Sequence, residues 1–131
     1  YDDYAHHPTE IKSVLHGLRE VYKKRKLISV FQPHRYSRVN SLKKEFASSF
    51  ILSDLVLLCP IYSAGEKKDK LYDQDQFSFM IKKFSKVQVI NIENEQSLRK
   101  YLKKNLINDE IVIGMGAGSI SKWMRNLKSI I

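Results

Sequence analysis

Two short runs that are apolar at every position, Leu55-Val56-Leu57-Leu58-Cys59 and Ile111-Val112-Ile113, constrain the fold of this chain more than any other feature. A strand with one wet face alternates apolar and polar residues, so a continuous apolar run is read as a strand covered on both faces. That is the habit of a parallel strand between layers of helices. The segments between the runs have the matching helical period. From Pro8, a residue suited to a first turn, Ile11, Val14, Leu15, Leu18 and Val21 recur at helical spacing to about Lys24. Leu27-Ile28-Ser29-Val30-Phe31 then reads as a strand closed by Gln32-Pro33. Val39, Leu42, Phe46 and Phe50 predict a second helix before the run at 55–59. Phe77, Met80, Ile81 and Phe84 predict a third, followed by a strand over 87–92. Leu98, Tyr101 and Leu102 mark a fourth, followed by a strand over 110–113. Ile120, Trp123, Met124 and Leu127 mark the closing helix.

The order α-β-α-β-α-β-α-β-α, with one more strand expected upstream of Tyr1, predicts a three-layer, Rossmann-like α/β sandwich on a mostly parallel sheet. No internal repeat or linker interrupts it, so residues 1–131 are expected to form a single domain. The chain opens at Tyr1-Asp2-Asp3 without Met, basic segment or signal-like apolar stretch, and is expected to be a piece of a larger polypeptide.

Composition narrows the possibilities. With 43% hydrophobic and 28% charged residues the chain is neither a disordered tail nor a membrane protein. No apolar run approaches the roughly 18 to 20 residues a membrane helix needs, so no membrane partner is expected. Cys59 is the single cysteine and cannot form an internal disulfide. That suits a reducing compartment, and a cytoplasmic location is expected. Twenty-three basic against fourteen acidic residues give a net charge of +9, a balance that raises nucleic acid as a partner. The lysines, however, fall as pairs (Lys23-Lys24, Lys43-Lys44, Lys67-Lys68, Lys82-Lys83, Lys103-Lys104), each on the polar side or end of a different segment. Lysine also outnumbers arginine 17 to 6, whereas phosphate and base-edge readout favours the guanidinium. No specific nucleic-acid partner is expected.

In a parallel sheet between helices the ligand site lies beyond the carboxyl ends of the strands. Here those ends read Asp2-Asp3-Tyr4-Ala5-His6-His7, then Gln32-Pro33-His34-Arg35-Tyr36-Ser37-Arg38, then Pro60-Ile61-Tyr62-Ser63-Ala64-Gly65-Glu66, the segment around Asn91-Ile92-Glu93-Asn94, and last Gly114-Met115-Gly116-Ala117-Gly118-Ser119. Asp2-Asp3 can serve a site or merely complement the dipole of the following helix. Adjacent His6 and His7 point in different directions, and with no i, i+4 histidine pair a metal site has no support. If 34–38 enters a helix, Arg35 and Arg38 sit one turn apart on one face and form a clamp for carboxylate or phosphate; otherwise they are two solvated arginines. The glycine series is not G-x-G-x-x-G and lacks a G-K-[ST] ending, so a phosphate loop is absent and the glycines suit a tight turn and close packing. Cys59 reads as a small core residue. A phosphoacceptor receiver would need an aspartate and a lysine where the third and fifth strand ends read Cys59-Pro60 and Gly114-Met115.

Asp2-Asp3-Tyr4-Ala5-His6-His7-Pro8-Thr9-Glu10, Phe31-Gln32-Pro33-His34-Arg35-Tyr36-Ser37-Arg38, Tyr62-Ser63-Ala64-Gly65-Glu66 and the late Gly116-Ala117-Gly118 resemble, in order and spacing, the C-terminal domain of the Mur ligases. The alanine-adding branch, the UDP-N-acetylmuramate:L-alanine ligases, is the better match. The murein-tripeptide ligases share the acidic and histidine block, but are expected to depart from His34-Arg35-Tyr36-Ser37-Arg38. The resemblance implies an ATP-dependent, amide-forming ligase of peptidoglycan precursor synthesis. Its UDP-sugar domain and its central ATP-binding domain would be absent from this chain. ATP would phosphorylate the lactyl carboxylate of UDP-N-acetylmuramate, and the amine of L-alanine would attack the acyl phosphate.

The resemblance also implies that ATP and Mg2+ are bound mainly by the central domain, which supplies the catalytic residues, and that this chain alone is inactive. By the same resemblance Asp3 faces the nucleotide, and Arg35 and Arg38, helped by His34, clamp the alanine carboxylate. His6 contacts the amine or the developing intermediate, and Tyr4 walls the pocket or the adenine. Residues 62–66 carry no assigned role. Ala5 replaces a glycine common in the motif and Ser37 a threonine, neither of which removes a functional group. A reading of another class stays beside this one, a non-enzymatic basic α/β module for a polyanion.

Overall fold

The computed structural model describes residues 1–107 and 109–127. Five strands, β1 (Asp2–Asp3), β2 (Leu27–Phe31), β3 (Leu55–Leu58), β4 (Gln88–Asn91) and β5 (Ile111–Met115), form one sheet in the order β1-β5-β2-β3-β4, with every pairing parallel. The helices are α1 (Pro8–Val21), α2 (Tyr36–Ser41), α3 (Lys43–Ala47), α4 (Gln74–Ser85), α5 (Glu95–Asn105) and α6 (Ile120–Leu127). The predicted α/β class and parallel sheet are therefore observed.

Successive apolar side chains of β2 and β3 enter opposite cores, as the two-residue strand period requires. Leu27, Phe31, Val56 and Leu58 meet α1, α2, α3 and α4 through Ile11, Leu15, Val39, Phe46, Phe77 and Ile81. Ile28, Val30, Leu55, Leu57 and Cys59 face the other way, onto Leu98 and Leu102 of α5 and Ile120, Met124 and Leu127 of α6. Every residue of β2 and β3 is buried, which is why those strands carry no polar alternation.

Three expectations need correction. The strand expected upstream of Tyr1 begins to pair inside the chain, where Asp2 and Asp3 lie in register with Gly114 and Met115. The helix expected across Val39, Leu42, Phe46 and Phe50 is two short helices, broken where Leu42 leaves the helical region at φ −122° and ψ 28°. Apolar spacing reports which face is buried, and both pieces bury the same face; the break in the backbone leaves no mark in that spacing. Helix α1 also stops at Val21 rather than near Lys24, its last turn closed by Tyr22 N–H donating to the Leu18 carbonyl.

Local signals set the other ends. Asp73 and Asn94 cap α4 and α5 through their side chains, and Lys86 ends α4 in the left-handed conformation. Lys82, Lys83, Lys103 and Lys104 lie in the last turns of α4 and α5, where cations complement the helix dipole.

Candidate functional site

Because all five strands run the same way, their carboxyl ends share one edge of the sheet. Asp3, Met115, Phe31 and Leu58 lie side by side in register there. The β2 and β3 chains stay paired beyond it: Tyr62 N–H donates to the Pro33 carbonyl at 2.8 Å, and Arg35 N–H donates to the Tyr62 carbonyl at 2.8 Å. This extension brings residues 33–35 and 60–62 over the sheet edge.

Four rings form a row across that edge. Tyr4 meets His6 edge-on at 5.2 Å between centroids, His6 meets His34 at 5.7 Å, and His34 stacks on Tyr62 at 5.5 Å with 12° between planes. The loop after β5 runs beneath the end of the row. A Cβ on Gly118 would lie 2.4 Å from Tyr62 Cγ, so only glycine lets the chain pass there without moving the ring. Gly116, at φ 153°, has its missing Cβ 2.9 Å from the Gln32 carbonyl. The late glycines thus permit a turn and a close approach, as their spacing suggests.

The imidazoles carry opposite tautomers, set by their partners. His6 Nδ1 lies 2.8 Å from the Tyr4 carbonyl, which can only accept, so Nδ1 holds a proton and, in the neutral ring, Nε2 is left as the acceptor. His34 Nδ1 lies 3.1 Å from Arg38 Nη1, and a guanidinium can only donate. His34 therefore accepts at Nδ1 and presents Nε2–H as a donor. Its pKa is lowered, chiefly by burial and then by Arg38, His6 and Arg35, against an opposing pull from Glu66. All these influences but the last keep the ring neutral, as that hydrogen bond needs.

Arg38 lies beside His34, but Arg35 and Arg38 do not share the helix face that the spacing predicts. Only Arg38 is in α2; Arg35 precedes the helix as its N-cap at φ 71°, ψ 125°, a backbone conformation costly for any residue but glycine. Arg38 Nη1 is held by His34, while Arg35 is exposed. Asp3 is half-buried and accepts from Ala5 N–H through Oδ1 at 2.9 Å, and Asp2 accepts from Ser121 Oγ at 2.7 Å. Neither carboxylate caps α1. His7 does that, accepting from Thr9 N–H at 3.4 Å, and Glu10 supplies the acidic residue of the first turn. His7 is thus turned away from the row, as two adjacent histidines require.

Two contributors escape a reading by motif. Gln32, buried at the end of β2, donates to Ser119 Oγ at 2.8 Å and accepts from Ile120 N–H at 3.0 Å, tying the β2 loop to the start of α6. A polar side chain directly after a fully buried strand is the sequence signal for such a tie. Glu66 accepts from Ser37 Oγ at 2.6 Å and from Ser37 N–H at 3.2 Å. Its motif is visible in the sequence, yet nothing there pairs it with Ser37. Among the described residues no group of three or more His, Cys, Asp or Glu side chains could hold a metal ion, and no helix is long and apolar enough to cross a membrane.

Comparison with known proteins places these features in context. The family described as Mur ligase, glutamate ligase domain, matches residues 1–118. The UDP-N-acetylmuramate–L-alanine ligase of Pelagibacter ubique is 51% identical over 131 residues, covering 100% of this chain and 28% of that protein. The enzyme of the same name from Legionella pneumophila is 39% identical over 126 residues, covering 96% of this chain and 26% of its own length. The chain thus spans about a quarter of the relatives it matches. Among solved structures, the UDP-N-acetylmuramate-alanine ligase of Thermotoga maritima aligns with a TM-score of 0.75 at 24% identity, over 97% of this chain and 25% of that one. A murein peptide ligase of Psychrobacter arcticus aligns with a TM-score of 0.73 at 17% identity, over 96% of this chain and 26% of that one. At those identities the structural likeness speaks for the fold.

Proposed function

The chain belongs to the Mur ligase family, as its glutamate ligase domain, and from that premise we propose that it is the C-terminal, amino-acid-holding domain of a UDP-N-acetylmuramate:L-alanine ligase. The arrangement of donors around His34 carries this reading. Arg35, Arg38 and the Nε2–H of His34 offer only donors, while His6 Nε2, in the next ring of the row, offers an acceptor. An amino acid has the complementary pattern, a carboxylate beside an ammonium. Alanine has little else to be held by, so its binding rests on charge-assisted hydrogen bonds. The relatives named as L-alanine ligases, at 51% and 39% identity, favour alanine over the tripeptide substrate.

In the complete enzyme, ATP would convert the lactyl carboxylate of UDP-N-acetylmuramate into an acyl phosphate. The alanine nitrogen would then attack the acyl carbon, with phosphate as the leaving group. An ammonium has no lone pair, so one proton must leave before attack. His6 Nε2 is the acceptor this chain provides for it. Arg35 and Arg38 hold the carboxylate so that the amine faces the acyl group. Asp3, with Oδ1 engaged by Ala5 N–H, turns Oδ2 toward a ribose hydroxyl, and Tyr4, 68% exposed, closes the outer side of the pocket.

The triphosphate needs a loop this sequence lacks, so triphosphate binding, and with it the magnesium ion that accompanies the phosphates, is assigned to the rest of the enzyme. Cytoplasmic action follows from nucleotide substrates. The reading is tested by assaying the full-length protein with ATP and UDP-N-acetylmuramate for ADP release that depends on L-alanine, with the amide product identified by mass. No dependence on L-alanine refutes it.

A further inference from the structure

We propose that Glu66 is a positioning residue of the arginine clamp, holding Arg35 in the backbone conformation that aims its guanidinium into the site. The proposal rests on the amino-acid-binding reading above and assigns a role to a loop that contacts no substrate in it.

Helix α2 begins without a side-chain cap of its own. The first amides of any helix lack intrahelical partners and need one from elsewhere. Arg35, the N-cap of α2, makes no side-chain cap hydrogen bond and lies at φ 71°, ψ 125°. Glu66, 29 residues beyond Ser37, serves instead, one carboxylate oxygen accepting Ser37 N–H at 3.2 Å and the other accepting Ser37 Oγ at 2.6 Å. A costly backbone conformation persists only where its surroundings over-determine it. Arg35 is held on both sides by one loop: its own N–H donates to the Tyr62 carbonyl, and Ser37, two residues on, is pinned by Glu66.

That loop is itself sharply turned. Ala64 and Gly65 both have positive φ, 53° and 87°, and Glu66 N–H donates to the Ser63 carbonyl at 3.0 Å, which delivers the carboxylate to α2. The hydrogen bonds from Ser37 lower the Glu66 pKa, with Arg35 adding a smaller pull the same way. The carboxylate stays ionised and accepts both hydrogen bonds from Ser37, while Arg38 is held separately by His34.

The test uses the full-length enzyme and compares Glu66→Ala, Glu66→Gln, Ser37→Ala and Ser37→Thr. Glu66→Ala should raise the KM for L-alanine on the order of tenfold, the size of one lost charge-assisted contact, while the KM values for ATP and the UDP-sugar stay within about twofold. Ser37→Ala should move the same constant in the same direction, and Ser37→Thr, which keeps the hydroxyl, should restore it. The double variant Ser37→Ala/Glu66→Ala should be no worse than Glu66→Ala alone. Should Glu66→Ala fail to fold, Glu66→Gln and Ser37→Ala decide the matter by the same split.

A wild-type KM for L-alanine in folded variants overturns the proposal, as do equal losses for all three substrates, the mark of a merely structural role. Arg35→Ala separates the two layers of argument. If it raises the KM for L-alanine and the Glu66 variants do not, only the positioning role fails. If the wild-type enzyme does not use L-alanine, the reading beneath it fails.

Discussion

Arg38 donates from Nη1 to Nδ1 of His34 at 3.1 Å, so one arm of the proposed clamp is held in place by an imidazole that must be neutral to accept. Protonating His34 converts an acceptor into a donor facing a guanidinium. Burial first, then Arg38, His6 and Arg35, against an opposing pull from Glu66, leave its pKa below the ordinary 6.5.

The sign of the resulting pH effect follows. With the folded pKa lowered, the unfolded chain binds more protons in the window between the two values. The stabilisation is complete above about pH 6.5 and is lost as pH falls through the lower, folded value. Denaturation midpoints of wild type should therefore drop between pH 7 and pH 5 more than those of His34→Ala, and in the full enzyme the KM for L-alanine should climb over the same interval. Parallel pH profiles for the two proteins would rule out this role for His34.

Removing either arginine should separate the two co-substrates. Arg35→Ala or Arg38→Ala in the full-length enzyme gives up a charge-assisted hydrogen bond of about 1.5 to 3 kcal/mol. The expected loss in kcat/KM for L-alanine is about tenfold to 150-fold, with the ATP dependence little changed. Equal losses toward alanine and ATP, in variants that melt like wild type, would remove the arginines from the amino-acid site.

Asp3 should show the opposite split. Asp3→Asn retains an oxygen to accept from Ala5 N–H and so keeps the local turn, while losing the charge proposed to face the nucleotide. The KM for ATP should rise and that for L-alanine should not. An unchanged ATP dependence would leave Asp3 with its backbone contact alone.

Gly118→Ala tests the ring row. Its Cβ would sit 2.4 Å from Tyr62 Cγ, so the ring must leave its stack on His34, at a cost of about 1 kcal/mol for overpacking at a partly exposed ring. Tyr62→Ala should make the second change nearly free. Additive destabilisation in that double-mutant cycle would show that the two positions do not interact.

The isolated chain should fold, and Cys59 reports on it. The thiol is fully buried and its pKa is pushed up to about 12 by burial. A thiol reagent should therefore label it only when denaturant unfolds the chain, and the same folded sample should not hydrolyse ATP. Rapid labelling in native buffer would mean that β3 is not covered as described. ATP turnover scaling with the purified chain would contradict the assignment of triphosphate binding to the rest of the enzyme.

The buried strands and the helix faces were legible in the residue order because burial acts on single positions. Leu55-Val56-Leu57-Leu58 is apolar throughout since each side chain enters one core or the other, and His34, Arg35 and Arg38 all fall within the short segment that leaves the end of β2. What the chain order does not contain is partner choice. His6, His34 and Tyr62 become neighbours only when β1, β5, β2 and β3 lie side by side in register, and Glu66 reaches Ser37 only through the bridge that continues β2 and β3 past the sheet. The positive φ of Arg35, which takes it out of the helix that spacing assigned to it, is a conformation its own side chain disfavours. Periodicity records which face of a segment is dry, whereas such strain and such pairings are supported by contacts from distant segments, and those exist only once the sheet is assembled.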